Sequence, residues 1–260
     1  MIEEKKVLIN NIEVNYKIAG EGFPFLILHG WGGSSGSWTE VQKSISSKGY
    51  QVIALDLPGF GKTPSPVMPW ELNDYSAFVL DFIKKLKLEK IILLGHSFGG
   101  RISIKLVSHY PDKVKFLILC DSAGIKRKYN FRQIIAFYFA QVGNFIFSNR
   151  FLRRFEDTAR NIFYIIIRQR DYIKVNGAMK ETFKKIVDED ILPNLPKIDT
   201  KTLIVWGGND RAVPVEDAFL INKGIKNSIL EIIPQVGHTP NLEVPEKLSE
   251  IILKFLGVEK

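Results

Sequence analysis

One cysteine in 260 residues excludes a disulfide within the chain, and Cys120 lies in the apolar run Phe116-Leu117-Ile118-Leu119, which predicts an inert core thiol. Long hydrophobic runs are missing as well: no uninterrupted apolar stretch approaches the roughly 18 residues needed to cross a bilayer. The first six residues, Met1 to Lys6, are mostly charged and lack the apolar core of a secretory leader, so the expected compartment is cytoplasmic. Histidine is scarce: His29, His96, His109 and His238 are the four imidazoles available as bases. Nothing resembles a helix-turn-helix, a zinc module or an RNA-binding sheet motif, so the net charge of +8 does not point to nucleic acid. That charge is local. Residues 124–190 hold 14 lysines and arginines against 7 acidic residues, leaving the remainder close to neutral. A basic segment of this kind reads first as a solvated face.

What the chain does have is alternation. The hydrophobic fraction of 45% and charged fraction of 25% suit a soluble domain with a sizeable core. Val7 to Ile18 reads as two short strands turning at Asn10-Asn11. Continuous apolar runs follow at 25–28, 52–55 and 91–94, and further strands are expected at 115–120, 202–206 and 229–233. Between them lie helical patterns near 38–45, 74–86, after Ser97, and 215–222. A last helix starts at Pro245, with Leu248, Ile251, Ile252 and Phe255 on one face. Buried strands alternating with helices predict an α/β fold, a mostly parallel sheet with helices on both faces. In such sheets ligands bind beyond the carboxyl ends of the strands.

Residues 124–195 interrupt the alternation. The segment is helical in pattern and basic, and Tyr129 to Phe183 contains 13 of the 26 Phe and Tyr residues. It is expected to be a helical cap inserted into a core of residues 1–123 and 196–260, with its aromatic faces laid over the sheet edge.

The stretch Ile91-Ile92-Leu93-Leu94-Gly95-His96-Ser97-Phe98-Gly99-Gly100 carries the chemistry. A buried strand gives way to a helix within two or three residues. Ser97 stands between glycines two positions before and two after it, which lets the backbone fold closely and hold the hydroxyl out. The helix N-terminus beside it favours developing negative charge. A serine hydroxyl is a weak nucleophile and needs a base, with a third group to orient that base. His96 adjoins the serine but sits on the tight corner, with its side chain expected to point elsewhere. His109 reads as a surface or capping residue and His29 as a support for the glycine-rich loop after it. His238, in Val236-Gly237-His238-Thr239-Pro240 after the last strand, is the favoured base. Asp210 is the favoured acid, with Asp121 the runner-up and Asp56 read as part of a structural turn.

The segments HGWGG at 29–33, DLPGFGK at 56–62, GHSFGG at 95–100, WGGND at 206–210 and GHTPNLEVPE at 237–246 resemble those of the α/β-hydrolase superfamily, from end to end of the chain. The resemblance implies an eight-stranded sheet with an inserted helical cap. It makes Ser97 the nucleophile, Asp210 the acid and His238 the base, with the backbone N–H groups of Trp31 and Phe98 as oxyanion hole. A serine at the corner excludes the dehalogenase and epoxide-hydrolase branches, which use aspartate there. The implied activity is hydrolysis of a small or medium carboxylic ester through an acyl-enzyme, without metal or organic cofactor. DLPGFGK and the WGGND-R-x-VP stretch are also similar to hydrolases that cleave carbon–carbon bonds in aromatic ring-cleavage products. A catalytically silent receptor on the same fold would have no need of all three triad residues. The expected partner is a small carbonyl substrate, with at most peripheral lipid contact through the basic, aromatic cap.

Overall fold

A computed structural model describes residues 1–126 and 177–257. The chain opens with a hairpin, β1 (Ile2–Ile9) and β2 (Ile12–Ala19), joined by Asn10 and Asn11. Both asparagines have positive φ, 46° and 65°, the backbone of a two-residue hairpin turn. The hairpin is longer than the sequence pattern suggests. Glu3 to Lys6 look too charged for a strand, yet β1 is the outermost strand of the sheet, where charges face solvent and guard the open edge.

The remaining strands are β3 (Phe23–Leu28), β4 (Tyr50–Leu55), β5 (Ile91–His96), β6 (Val114–Cys120), β7 (Thr202–Gly207) and β8 (Ser228–Ile233). They form one eight-stranded sheet in the order β1-β2-β4-β3-β5-β6-β7-β8. Pairings from β4 through β8 are parallel, and those of β1 with β2 and of β2 with β4 are antiparallel. The apolar runs are continuous because both faces are covered. Leu26, Leu28, Leu93, Leu117 and Trp206 face one layer, and Phe25, Ile27, Leu94, Ile118 and Val205 face the other.

Helix α1 (Thr39–Ser46) packs Val41 and Ile45 on the second face, whereas α2 (Leu72–Lys85) and α3 (Phe98–His109) pack on the first. The chain therefore leaves β3 towards one face and β5 towards the other, although these strands are neighbours. That reversal opens a crevice between their carboxyl ends, the place where an open α/β sheet binds its ligand. Helix α2 begins two residues earlier than its apolar stripe indicates. The Asp74 carboxylate accepts the Glu71 N–H at 2.7 Å and closes the entry turn as a capping box.

Of the interrupting segment, residues 127–176 lie outside the described residues, and with them most of the expected cap. Its described end forms α4 (Ala178–Asp188), followed by a 3-10 segment at Leu192–Lys197. The first face is completed by α5 (Glu216–Gly224) and the second by α7 (Pro245–Phe255), which follows the short α6 (Pro240–Glu243). Among the described residues, no helix is long and apolar enough to cross a membrane.

Helix α4 is fastened to α3 by Arg101, whose buried guanidinium donates to the carbonyls of Ile186 at 2.5 Å and Glu189 at 2.9 Å. Burial pushes the Arg101 pKa down to about 10, still high enough to keep it charged at neutral pH. The cation caps the carboxyl end of α4, where helical carbonyls are otherwise unpaired. Lys105, one turn further along α3, adds an ion pair to Glu189 at 2.8 Å. Arg101→Met leaves buried carbonyls without a donor, at a cost of about 1–3 kcal/mol. The expected result is a lower urea midpoint, with thermolysin cutting α4 before the sheet.

Candidate active site

Ser97 follows β5 with φ 51° and ψ −111°, a conformation a serine holds only when its surroundings impose it. Four bonds do so: its N–H donates to the Cys120 carbonyl at 3.1 Å, and its own carbonyl accepts from the N–H groups of Gly100 at 3.0 Å, Ala123 at 3.1 Å and Arg101 at 3.3 Å. The glycines at 95 and 99 are demanded by space. A Cβ on Gly95 would collide with the Gly99 carbonyl and Ser103 Oγ, and one on Gly99 with the backbone of Leu28 and His29. The corner thus presses α3 against the end of β3 and turns the Ser97 side chain into the crevice.

His238 arrives in the loop after β8 and Asp210 in the loop after β7. The structure brings both to Ser97: His238 Nε2 lies 3.0 Å from Ser97 Oγ, and His238 Nδ1 lies 2.7 Å from Asp210 Oδ2. Asp210 is oriented by its other oxygen, Oδ1, which accepts from the N–H groups of Ala212 at 2.7 Å and Val213 at 2.9 Å. This leaves Oδ2 for the ring, so His238 carries its proton on Nδ1 and turns a lone pair towards the serine hydroxyl. The Asp210 side chain is fully buried, whereas the His238 side chain is 25% exposed.

Phe98 is the first residue of α3, and its N–H precedes the helical ladder. The loop carrying Trp31 lies against the same corner, since a Cβ on Gly30 would stand 3.1 Å from the Cβ of Ser97. Trp31 packs edge-on against Phe60, Phe98 and the α4 residue Phe183, with ring centroids 4.8, 5.2 and 4.9 Å away. Tyr75 also meets Phe98 edge-on, with ring centroids 4.9 Å apart. Aromatic rings thus cluster around Trp31 and Phe98, whose backbones flank the Ser97 corner.

The other polar residues have definite places. His29 accepts the Leu57 N–H on Nε2 at 3.0 Å and donates from Nδ1 to the Gly30 carbonyl at 2.7 Å, so it joins the two loops beside the crevice. Burial lowers its pKa and keeps it neutral. Asp56 is a cage centre: its carboxylate accepts from Ser35 N, Asn15 Nδ2 and Lys62 N. Burial opposes its charge, but these donors outweigh burial and hold it below its ordinary pKa. His109 ends α3, exposed, and binds the Lys105 carbonyl.

Two supports of His238 escape sequence reasoning. His96 donates from Nε2 to the His238 carbonyl at 2.7 Å, and its ring lies 5.0 Å from the His238 ring. Burial, then the neighbouring His238, pushes its pKa down to about 3, so it stays neutral. Glu243 accepts from the N–H groups of Gly237 at 2.8 Å and Thr239 at 3.1 Å, one on each side of His238. The entry pattern Thr239-Pro240 with an acid four residues on is the signal for Glu243. No spacing announces which way the His96 ring turns. A cation at Asp210 and His238 would have to displace the bond between them, so these donors suit a proton relay better than a metal.

A parallel sheet whose switch-point crevice holds a cornered serine, with a histidine and a buried aspartate in line behind it, defines a hydrolase-type enzyme core. Residues 24–245 match the family described as alpha/beta hydrolase fold, and the chain belongs to that family and is a hydrolase. It is 30% identical over 268 residues to a 2-hydroxy-6-oxononadienedioate/2-hydroxy-6-oxononatrienedioate hydrolase of Escherichia coli, covering 95% of this chain and 91% of that one. It is 28% identical to the dihydrolipoyllysine-residue acetyltransferase component of an acetoin cleaving system from Pseudomonas putida, covering 93% of this chain but spanning only 65% of that protein. In three dimensions it is similar to an esterase from Exiguobacterium antarcticum, with TM-score 0.78 at 21% identity over 98% of this chain and 100% of the other. At that identity the likeness is one of fold.

Proposed function

We propose that the chain is a serine hydrolase that cleaves small or medium carboxylic esters through an acyl-enzyme. The observation that carries this reading is the unbroken line from Ser97 Oγ to His238 Nε2 at 3.0 Å and from His238 Nδ1 to Asp210 at 2.7 Å. Ser97 Oγ attacks the ester carbonyl as its proton passes to His238 Nε2, and the carbonyl oxygen becomes an oxyanion facing the Trp31 and Phe98 N–H groups. Asp210 stabilises the imidazolium. The C–O bond then breaks, and His238 returns the proton to the departing alcohol. Water, deprotonated by the same histidine, attacks the acyl group; Ser97 leaves with the proton and the acid is released. The rings of Trp31, Phe60, Phe98 and Phe183 suit an apolar acyl or alcohol part.

Cleavage of a carbon–carbon bond in a dienoate is the second reading, favoured by the name of the Escherichia coli relative. Such a substrate brings a carboxylate that needs a cation. Among the described residues, Arg101, four residues beyond the serine, spends its guanidinium on the end of α4 and is not free to hold that carboxylate. Steady-state kinetics with p-nitrophenyl butyrate and with a 2-hydroxy-6-oxo-dienoate separate the two. The expected kcat/KM is at least about 100-fold higher for the ester, equivalent to nearly 3 kcal/mol of transition-state preference. A preference of that size for the dienoate overturns the ester assignment.

A further inference from the structure

Strands β5 and β6 run parallel in register, with His96 opposite Cys120. The next residue on each is a non-glycine in the left-handed region, Ser97 at φ 51° and Asp121 at φ 44°. The corner at Ser97 accounts for the first. Nothing in the relay of Ser97, His238 and Asp210 accounts for the second. Asp121 is 0% exposed, and its backbone is pinned by a bond from its N–H to the Val205 carbonyl at 3.0 Å. Its carboxylate Oδ1 accepts the Gly207 N–H at 2.8 Å, while Oδ2 faces Cys120 Sγ at 3.4 Å. One carboxylate oxygen of each of Asp121 and Asp210 and one ring nitrogen of His238 all lie within 4.8 Å of one another. Two carboxylates are thus buried beside one imidazole. Holding Gly207 needs only a carbonyl oxygen, which asparagine supplies without the desolvation cost of a carboxylate.

We propose that Asp121 is a second carboxylate of the relay, acting through His238 to favour the imidazolium that forms as Ser97 attacks, while Asp210 orients the ring. The proposal rests on the triad reading above. It follows from where charge develops: in a buried site a fixed negative charge near the ring is screened little and strengthens the base as it takes the proton. Among the described residues, four titratable groups face Asp121. On its own strand is the Cys120 thiol, which burial raises well above its ordinary pKa and keeps neutral. From the loops after β7 and β8 come Asp210 and His238, and from β5 comes His96, packed on His238 and held neutral. Burial first, then the charge of Asp210, raises the Asp121 carboxyl to about 7 against the pull of the Gly207 N–H and His238. Asp121 therefore gains its charge as pH rises through about 7, and its assistance rises with pH.

Asp121→Asn keeps volume and the Gly207 bond but removes the charge. With p-nitrophenyl butyrate, kcat/KM of the variant is expected to fall about tenfold at pH 8.5, corresponding to about one pKa unit of coupling. KM should be unchanged. At pH 5.5, where the wild-type carboxyl is also neutral, the loss shrinks to about twofold or less. A residue that only holds Gly207 gives the same ratio at both pH values. A flat ratio in a variant with wild-type melting behaviour, or full activity at pH 8.5, overturns the proposal. Should the variant not fold, the wild-type protein answers: fluorophosphonate labelling of Ser97 should depart from a single-proton pH curve between pH 5 and 9, and a single-proton curve overturns the proposal. If Ser97→Ala stays active, the triad reading itself falls; if Ser97→Ala is dead and the ratio is flat, only the role of Asp121 falls.

Discussion

Ser97→Ala is expected to lower kcat for p-nitrophenyl butyrate by a factor on the order of 10⁵–10⁶, the scale on which removing the nucleophile of a serine relay acts. The residual rate should come from substrate binding and the oxyanion donors alone. The loss should be chemical, not structural. Alanine fills the same corner, since the bonds that impose φ 51° on residue 97 use only its backbone N–H and carbonyl. The melting temperature should therefore stay within a degree or two of wild type, while fluorophosphonate labelling disappears. A variant with more than a tenth of wild-type kcat would mean that another group attacks the ester. Partial loss with a collapsed melting temperature would report on folding and leave the chemistry to labelling of the wild-type serine.

The parts of this site that follow strand ends are legible in the sequence, because a buried parallel strand announces itself as an unbroken apolar run and its carboxyl end is a fixed place in the sheet. His29, Ser97, Asp121, Asp210 and the loop of His238 are all located that way. Side-chain direction is not. The tight corner turns the His96 ring away from the serine but does not say what that ring meets. Only the packed structure shows it bound to the His238 carbonyl. The exposed end of β1 is invisible for a different reason: an edge strand has one partner and needs no apolar alternation to form. The cage around Asp56 draws on residues 15, 35 and 62, too far apart for spacing to connect them. Of the aromatic cluster, Phe183 belongs to the segment expected to cover the sheet edge, yet its contact with Trp31 is made from α4, which Arg101 fastens to α3, and no spacing joins these residues. Pattern locates elements; packing decides which side chains meet.

Asp210→Asn should be the second largest loss, about 10⁴-fold in kcat, and the reason lies in an asymmetry of the Asp210 environment. Oδ1 accepts two backbone N–H groups, from Ala212 and Val213, and Oδ2 accepts the Nδ1 proton of His238. Asparagine has one oxygen, and the two backbone donors claim it. The amide nitrogen is then forced to face His238 and can only donate, so Nδ1 must accept and the ring proton moves to Nε2. The base then presents a proton to Ser97 Oγ, 3.0 Å away, where it needs a lone pair. Geometry is preserved and the tautomer is reversed. Two readouts separate this from simple loss of charge. Asp210→Ala leaves the ring free to choose either tautomer and should retain more activity than Asp210→Asn, despite removing more atoms. The activity of Asp210→Asn should also recover with rising hydroxide concentration above pH 9, where solvent base can replace the misdirected imidazole. If the asparagine variant matched or exceeded the alanine variant at pH 7, the relay would not depend on the direction of the His238 proton, and Asp210 would be acting by charge alone.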